Sequence, residues 1–340
     1  LLKDNDKQTL NTQLTFADHQ YDNYNQWFRP STSTLAINAG RDGEASQNYS
    51  KSSLRSLEWV TNYTNSWGKH NLKAMLGYSF EYDVYAGFNA DNKDFPNDAL
   101  TYNNLGTGTF AKEKGELGMG SFKNDTKLIS FFGRLSYDWK GRYMLTASLR
   151  REGSSKFGKN SRFAPFWSVG TGWNIHNEKF LKGSPFQLLK LRASLGYLGN
   201  ISFEPYQALT MYTSLAGLNY IKGIGAVPMG IGNKNLKWER TLSANLGLDL
   251  TMFKGRWDFS ADVYVKNTDN LLLDITKAPS LGITTSRENV GEVENHGFEF
   301  QTRVIPIKNK DWEWSLSLNY AYNKNKIKKI SNALREQNEK

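Results

Sequence analysis

Four histidines, His19, His70, His176 and His296, are the first residues to weigh for chemistry, because metal ligation and general-base catalysis most often use imidazole. They fall in loops, turns or strand ends with no i,i+4 or paired spacing, so no metal site is expected. The chain has no cysteine, which removes disulfides, thiolate metal sites and cysteine nucleophiles. Serines abound, yet none lies in a G-x-S-x-G turn that would hold a nucleophile beside a base. Glycoside hydrolysis needs two carboxylates at a fixed separation, and Glu152 and Glu204 are two among too many for a pair to stand out. Gly291-Glu292-Val293 and Gly223-Ile224-Gly225 lack the strand–turn–helix setting of phosphate-binding loops. Neither an enzyme nor a cofactor is expected. The residues that do suggest binding are aromatic: Tyr85, Phe88, Tyr102, Phe110, Tyr206, Tyr212 and Tyr220. They lie in two stretches that read as long loops. Flat rings stack on sugars and meet peptides as readily, so these seven are the candidate substrate-binding residues. The plainer reading is that they pack the loops or touch a partner.

The elements that must carry these loops are strands. Leu128–Arg151 alternates in two runs joined by Trp139-Lys140-Gly141. Ile129, Phe131, Gly133, Leu135 and Tyr137 take one parity, with Ser130, Arg134, Ser136 and Asp138 on the other. Tyr143, Leu145, Ala147 and Leu149 then oppose Met144, Thr146, Ser148 and Arg150. Side chains of a strand alternate faces, so each run has an apolar and a polar face. WDFSADVYV (257–265) and WEWSLSLNYAY (312–322) repeat the pattern, with Asp262, Glu313 and Ser317 kept on the polar parity. On this reading Leu145, Leu149, Val263, Leu316 and Leu318 face lipid, and Thr146, Ser148, Asp262 and Ser317 face a water-accessible lumen.

Eleven strands are predicted, over 9–17, 52–64, 71–83, 128–138, 142–152, 163–174, 188–198, 237–252, 256–267, 296–305 and 311–324. Short links near 66–69, 139–141, 254–255 and 307–310, with a longer one at 175–187, alternate with excursions over 18–51, 84–127, 199–236 and 268–295 and a shorter one at 153–162. Aromatics flank every short link: Trp67; Trp139 and Tyr143; Trp173; Phe253 and Trp257; Trp312 and Trp314. Trp and Tyr favour the membrane–water boundary, where ring and polar tip are both satisfied. Short turns at one end, long loops at the other and an aromatic row at the turns make the pattern of an outer-membrane barrel. The loops 84–127 and 199–236 are then expected on the side opposite Trp67, Trp139, Trp257 and Trp312.

Composition agrees. Hydrophobic residues are 39% of the 340, below the roughly 45–50% of an average globular domain, while aromatics reach 14%. No run approaches the ~20 apolar residues of a membrane-spanning helix, so a membrane reading must use strands, because only helices and closed barrels satisfy every backbone group in lipid. The net charge of +10 comes from 43 basic residues interspersed with 33 acidic ones, which reads as solvated surface and not as a nucleic-acid footprint. Lys324, Lys326, Lys328 and Lys329 form the one basic cluster. It could meet anionic lipopolysaccharide, although a solvated strand end is the plainer account.

Four strings resemble the SusC/RagA-like TonB-dependent transporters of Bacteroidetes outer membranes: 131–175 (FFGRLSYDWKGRYML…), 188–200 (LLKLRASLGYLGN), 233–250 (NKNLKWERTLSANLGLDL) and 288–304 (ENVGEVENHGFEFQTRV). They come in the family's order and cover most of 52–325. The resemblance implies an all-β antiparallel transmembrane barrel of about 22 strands, plugged by an N-terminal domain. Such a barrel imports glycans or peptides, is capped by a SusD-like surface lipoprotein and is energised through TonB. Residues 1–340 are then expected to be a single piece of barrel, about eleven strands long, without plug, TonB-contacting segment or closing strands. The alternatives are a passive porin-like or structural barrel, and a soluble carbohydrate-binding β-protein. The motif Arg150-Arg151-Glu152-Gly153-Ser154-Ser155-Lys156-Phe157-Gly158 admits a substrate vestibule or a salt-bridged, glycine-shaped rim. The rim is preferred, because the string resembles a family-wide feature while substrates differ among members.

Overall fold

The computed structural model describes every residue except 1, 6, 7, 116, 117, 202, 221, 222, 231, 279, 281, 284 and 331–340. Its strands are β1 (Leu2–Asn5), β2 (Gln8–Arg29), β3 (Glu44–Trp67), β4 (His70–Lys93), β5 (Met119–Trp139), β6 (Tyr143–Ser154), β7 (Phe163–Asn174), β8 (Phe186–Asn200), β9 (Met211–Tyr220), β10 (Gly223–Gly230), β11 (Glu239–Met252), β12 (Trp257–Thr276), β13 (Thr285–Lys308) and β14 (Glu313–Lys329). Two one-turn helices, α1 (Thr34–Asn38) and α2 (Phe110–Lys114), sit in connections. Twelve strands form one sheet in the order β1 to β8, then β11 to β14, while β9 and β10 pair with each other. Each of the eleven expected strands is present, and the four-residue β1 joins them.

The main departure is length. β2, β3, β4, β5, β12 and β13 run 20 to 24 residues, so the connections shrink to 30–43, 94–118 and 277–284. The reason is physical. Apolar–polar alternation marks only the part of a strand with one face in an apolar medium. Beyond it both faces are wet, the alternation vanishes, and the backbone ladder continues regardless of side-chain type. The excursion at 199–236 holds a hairpin of its own, β9–β10, with Val227 opposite Thr213 and Pro228 opposite Tyr212.

The chain forms two compact units: Leu1–Leu14, Glu58–Ser79 and Leu128–Lys340; and Thr15–Leu57 with Phe80–Lys127. In the first, antiparallel register is continuous. Asp138, Met144, Gly172, Arg192, Gly247, Asp262 and Glu299 lie opposite one another in a row from β5 to β13. The ladder puts Trp139, Tyr143, Trp173 and Trp257 at one end of their strands, as the alternation of links required. That end is laced together. Trp67 stacks on His70 with centroids 5.4 Å apart, Trp139 on Tyr143 at 5.5 Å and Tyr143 on Trp173 at 6.2 Å. His70 Nδ1 and the Tyr137 hydroxyl share a 2.6 Å hydrogen bond. In the 139–143 turn Lys140 and Gly141 both have positive φ, the twist that matches tight hairpins.

Two faces separate as the parity predicted. Leu145, Leu149, Val263, Leu316 and Leu318 expose 44 to 59% of their surface, while Thr146, Ser148 and Asp262 are half-buried among polar neighbours. Ser317 is exposed, as every residue of β14 is, because that strand ends the sheet among the described residues.

Candidate functional site

The polar face of β8, β11 and β12 holds a charged constellation. Alternation places Arg192, Asp249 and Asp262 on one face, and the ladder sets Arg192 and Asp262 on either side of Gly247. Arg192 Nε and Nη2 donate to the two Asp249 oxygens at 2.7 and 2.9 Å, and Nη1 and Nη2 to those of Asp262 at 3.1 and 3.0 Å. Ser260 Oγ adds a donation to Asp249 at 3.0 Å. One planar guanidinium thus forks into two carboxylates, the geometry that favours Arg over Lys. Glycine at 247 is required by space. A Cβ there would lie 2.5 Å from Asp262 Oδ1 and 2.7 Å from the guanidinium carbon. Further along the same face, Ser148 and Ser168 share a 2.6 Å hydrogen bond, and Thr146 donates to Ser136 at 3.4 Å. Such a surface offers hydrogen bonds and fixed, mutually paired charge.

At the end of the strands away from the aromatic row, the Arg150–Gly158 motif forms a rim, as preferred from the sequence. Arg150 Nε donates to Glu152 at 2.5 Å, and its Nη2 to the buried Ser130 hydroxyl at 2.8 Å. Phe157 then turns into a buried cluster with Ala164, Phe166, Phe203, Leu236 and Trp238. The Phe157 ring stacks on Trp238 at 4.6 Å and meets Phe203 edge-on at 5.0 Å. Lys156 Nζ donates to the Phe203 carbonyl at 2.9 Å, and Trp238 Nε1 to the Arg162 carbonyl at 3.1 Å. Gly158 lies so close to the Lys234 carbonyl that a Cβ would come within 2.1 Å. The rim therefore clamps both ends of the 201–238 connection. Each half of this clamp was visible in the sequence, but nothing there paired Phe157 with Trp238.

The seven aromatics do not form one cluster. Tyr85 and Phe88 lie within β4 and not in a loop, and three residues apart on a strand they point to opposite faces. Tyr85 pairs with Phe122 at 4.9 Å and Phe88 with Tyr49 at 5.6 Å, although both stay about half-exposed. Phe110, on α2, lies under the Arg41 guanidinium at 4.0 Å and the Lys93 ammonium at 5.1 Å. Tyr102 sits in a 3-10 turn whose carbonyl accepts from Gln47 Nε2 at 2.7 Å. These packing roles belong to a bonded framework in the second unit, where Asp98 accepts from the Ser31 amide at 3.1 Å and the Ser31 hydroxyl at 2.9 Å, and Arg41 pairs with Asp94 at 3.1 Å. In the first unit, Tyr206 occupies a turn at φ 68°, and Tyr212 on β9 is 67% exposed. The side chain of Tyr220 lies outside the described residues. Of the lysine cluster, Lys328 pairs with Glu294 at 2.8 Å and Lys329 with Glu292 at 3.8 Å.

A two-faced antiparallel sheet with an aromatic row at its short turns matches a known family throughout its length. The sequence model for TonB dependent receptor-like β-barrels covers residues 2–339. The chain belongs to that family. TonB-dependent receptor P3 of Formosa agariphila is 35% identical over 289 residues, which are 84% of this chain and 28% of that protein. TonB-dependent receptor SusC of Bacteroides thetaiotaomicron is 35% identical over 198 residues, 54% of this chain and 19% of that one. In solved structures, a chain of the RagAB peptide transporter superposes with a TM-score of 0.82 at 25% identity, over 98% of this chain and 36% of that one. The chain thus spans about a fifth to just over a third of these relatives. It is an all-β outer-membrane barrel segment of the SusC/RagA-like kind. In such a barrel the exposed apolar face meets lipid, the polar face lines the lumen, and short turns are periplasmic while long connections are external. Arg192, Asp249 and Asp262 are therefore luminal, and the Phe157–Trp238 cluster belongs to the external rim.

Proposed function

We propose that the protein carrying this chain imports oligomeric nutrients, glycans or peptides, across the outer membrane in a TonB-dependent manner. The chain supplies part of the barrel wall and the outer connections and performs no catalysis. The observation that carries this reading is a hydrogen-bonded, charge-paired polar face opposite an exposed apolar one, in a chain 35% identical to a TonB-dependent receptor over 84% of its length. A plug and a TonB-contacting segment belong to the same reading, as does a SusD-like lipoprotein over the outer mouth. The outer segments 84–127 and 199–236 each offer binding surface beneath that lipoprotein, and Tyr85, Phe88, Tyr102, Phe110, Tyr206, Tyr212 and Tyr220 are the candidate contact residues they carry. Binding energy there is spread over stacking and hydrogen bonds.

The experiment deletes residues 100–114 in the full-length protein, between the end of β4 and the start of β5, and follows nutrient uptake and lipoprotein association with and without TonB. Import predicts uptake that stops without TonB and falls with the deletion. Uptake that persists without TonB would mean a passive channel. Loss of lipoprotein binding with residual uptake would assign the connection to the partner and not to the cargo.

A further inference from the structure

The lipid-facing side of β4, β5 and β6 is not smooth. Ala74, Gly133 and Ala147, on three neighbouring strands, form the floor of an almost wholly apolar groove of about 1000 Å³. Leu76, Phe131 and Leu149 stand along it and are 64, 50 and 59% exposed. The three strands span two inter-strand spacings, so the groove is about 10 Å wide. The floor is shared in register: Gly133 lies opposite Leu149, and Leu135 opposite Ala147. A Cβ on Gly133 would lie 3.2 Å from Leu76 Cδ2, so a larger side chain there would intrude on the groove wall.

One end of this groove is charged. Arg151 lines it, shares the lipid-facing parity of Leu149, and lies opposite Phe131 and Pro165. Its guanidinium is 5.4 Å from the Phe163 ring centroid. Arg150 next door turns to the lumen and is paired with Glu152, whereas Arg151 is exposed and forms no ion pair among the described residues. Arg151 is eight residues from Tyr143 in the periplasmic aromatic row. That is about 26 Å along the strand and about 20 Å of height at a tilt near 40°, roughly 5 Å inside the outer edge of an apolar band ~25 Å tall, a gap that the long arginine side chain spans. An unpaired cation is tolerated at that depth because lipid phosphates are there to meet it.

We propose that this groove holds the acylated, phosphorylated sugar anchor of lipopolysaccharide, with acyl chains against Ala74, Gly133 and Ala147 and a phosphate on Arg151. The groove is about two acyl chains wide, and charge selects the occupant. A phospholipid with a zwitterionic headgroup brings an ammonium beside the guanidinium, whereas the sugar anchor presents phosphate alone. A second copy of the chain, related by a two-fold axis along the membrane normal, would place its own Arg151 at the same height, like charge near like charge. The proposal rests on the barrel's orientation in the outer membrane and is independent of the import reading.

The test uses the full-length protein in detergent and in nanodiscs. Bisphosphorylated lipid A and its dephosphorylated form are titrated while bound lipid is followed by native mass spectrometry and melting temperature. The parent should retain bisphosphorylated lipid A and melt higher in its presence. Arg151→Gln should weaken retention at least tenfold, Arg151→Lys less, and dephosphorylated lipid A should bind the parent as weakly as lipid A binds R151Q. Ala147→Leu, which fills the groove, should also lower retention, whereas Leu195→Ala elsewhere on the lipid face should not. Equal retention by the parent and R151Q, or equal binding of the two lipid forms, would overturn the proposal. So would loss of an oligomer in R151Q with lipid binding unchanged, which would make the groove a self-association surface. If A147L does not fold, judged by heat-modifiable gel migration, the R151Q and dephosphorylated-lipid arms decide.

Discussion

Replacing Arg192 by Ala in the full-length barrel should destabilise it by about 2–3 kcal/mol, a figure set by the fork it makes and by the water that reaches it. Four hydrogen bonds run from the guanidinium to Asp249 and Asp262. At about 1.5–3 kcal/mol for each charge-assisted bond the gross sum is roughly 6–12 kcal/mol. That overstates the loss, since the three side chains keep 33, 24 and 27% of their surface in contact with solvent, and exposed pairs are screened. The loss should fall below the roughly 3–5 kcal/mol of a fully buried pair broken on one side. Without the guanidinium, Asp249 and Asp262 face each other with only Ser260, among the described residues, donating to one of them. Asp262→Asn in the R192A background should therefore recover stability, and the pair should be non-additive by about 1 kcal/mol or more. Gly247→Ala offers an independent check, because its Cβ would push the fork aside with every charge retained. It should cost about 1 kcal/mol, and less again once Arg192 is gone. The measurement is urea unfolding in lipid vesicles followed by tryptophan fluorescence. Strict additivity of R192A and D262N, or an R192A effect under about 0.5 kcal/mol, would show that the fork carries no stability and that luminal solvent screens it completely.

Phe157→Ala should cost about 3–5 kcal/mol locally; limited proteolysis should then cut the 201–238 connection while the barrel still migrates as folded, and unchanged protection would contradict the rim clamp. Val263→Arg places a charge about 20 Å along β12 from Trp257, near the membrane midplane, and should cost about 2–4 kcal/mol. Asn245→Arg, on the luminal parity, should cost far less, and comparable unfolding midpoints for the two would refute the face assignment. In the periplasmic turn, Glu178 accepts from the Tyr143 hydroxyl at 2.7 Å, Trp173 Nε1 at 3.2 Å and Arg142 Nη1 at 3.2 Å. The Tyr143 and Trp173 hydrogen bonds, with the Arg142 charge behind them, hold the Glu178 carboxyl below its ordinary 4.5. A depressed folded value means the turn's extra stability is complete above the unfolded value and lost as pH falls through the folded one. Turn tryptophan fluorescence should therefore be flat from neutral pH down to the ordinary carboxylate range and change only below it, and E178Q should abolish that acid transition.

What the sequence determined by itself was whatever depends on neighbours along a strand. Leu145 beside Thr146 and Val263 beside Asp262 assign faces without any tertiary knowledge, because side-chain alternation is a property of extended backbone. Trp139, Tyr143 and Trp257 marked the turn end for the same local reason, and the register keeps them together. Strand ends beyond the membrane were not legible, since Tyr85 and Phe88 sit where both faces of β4 are wet and no period remains to count. Pairings across the ladder were not legible either. Arg192 meets Asp262 across 70 residues and Trp238 reaches the Arg162 carbonyl across 76. Alternation says which face a residue takes but not which residue lies opposite it. Only the register of the assembled strands decides that, through a hydrogen-bond ladder whose backbone groups are alike at every position.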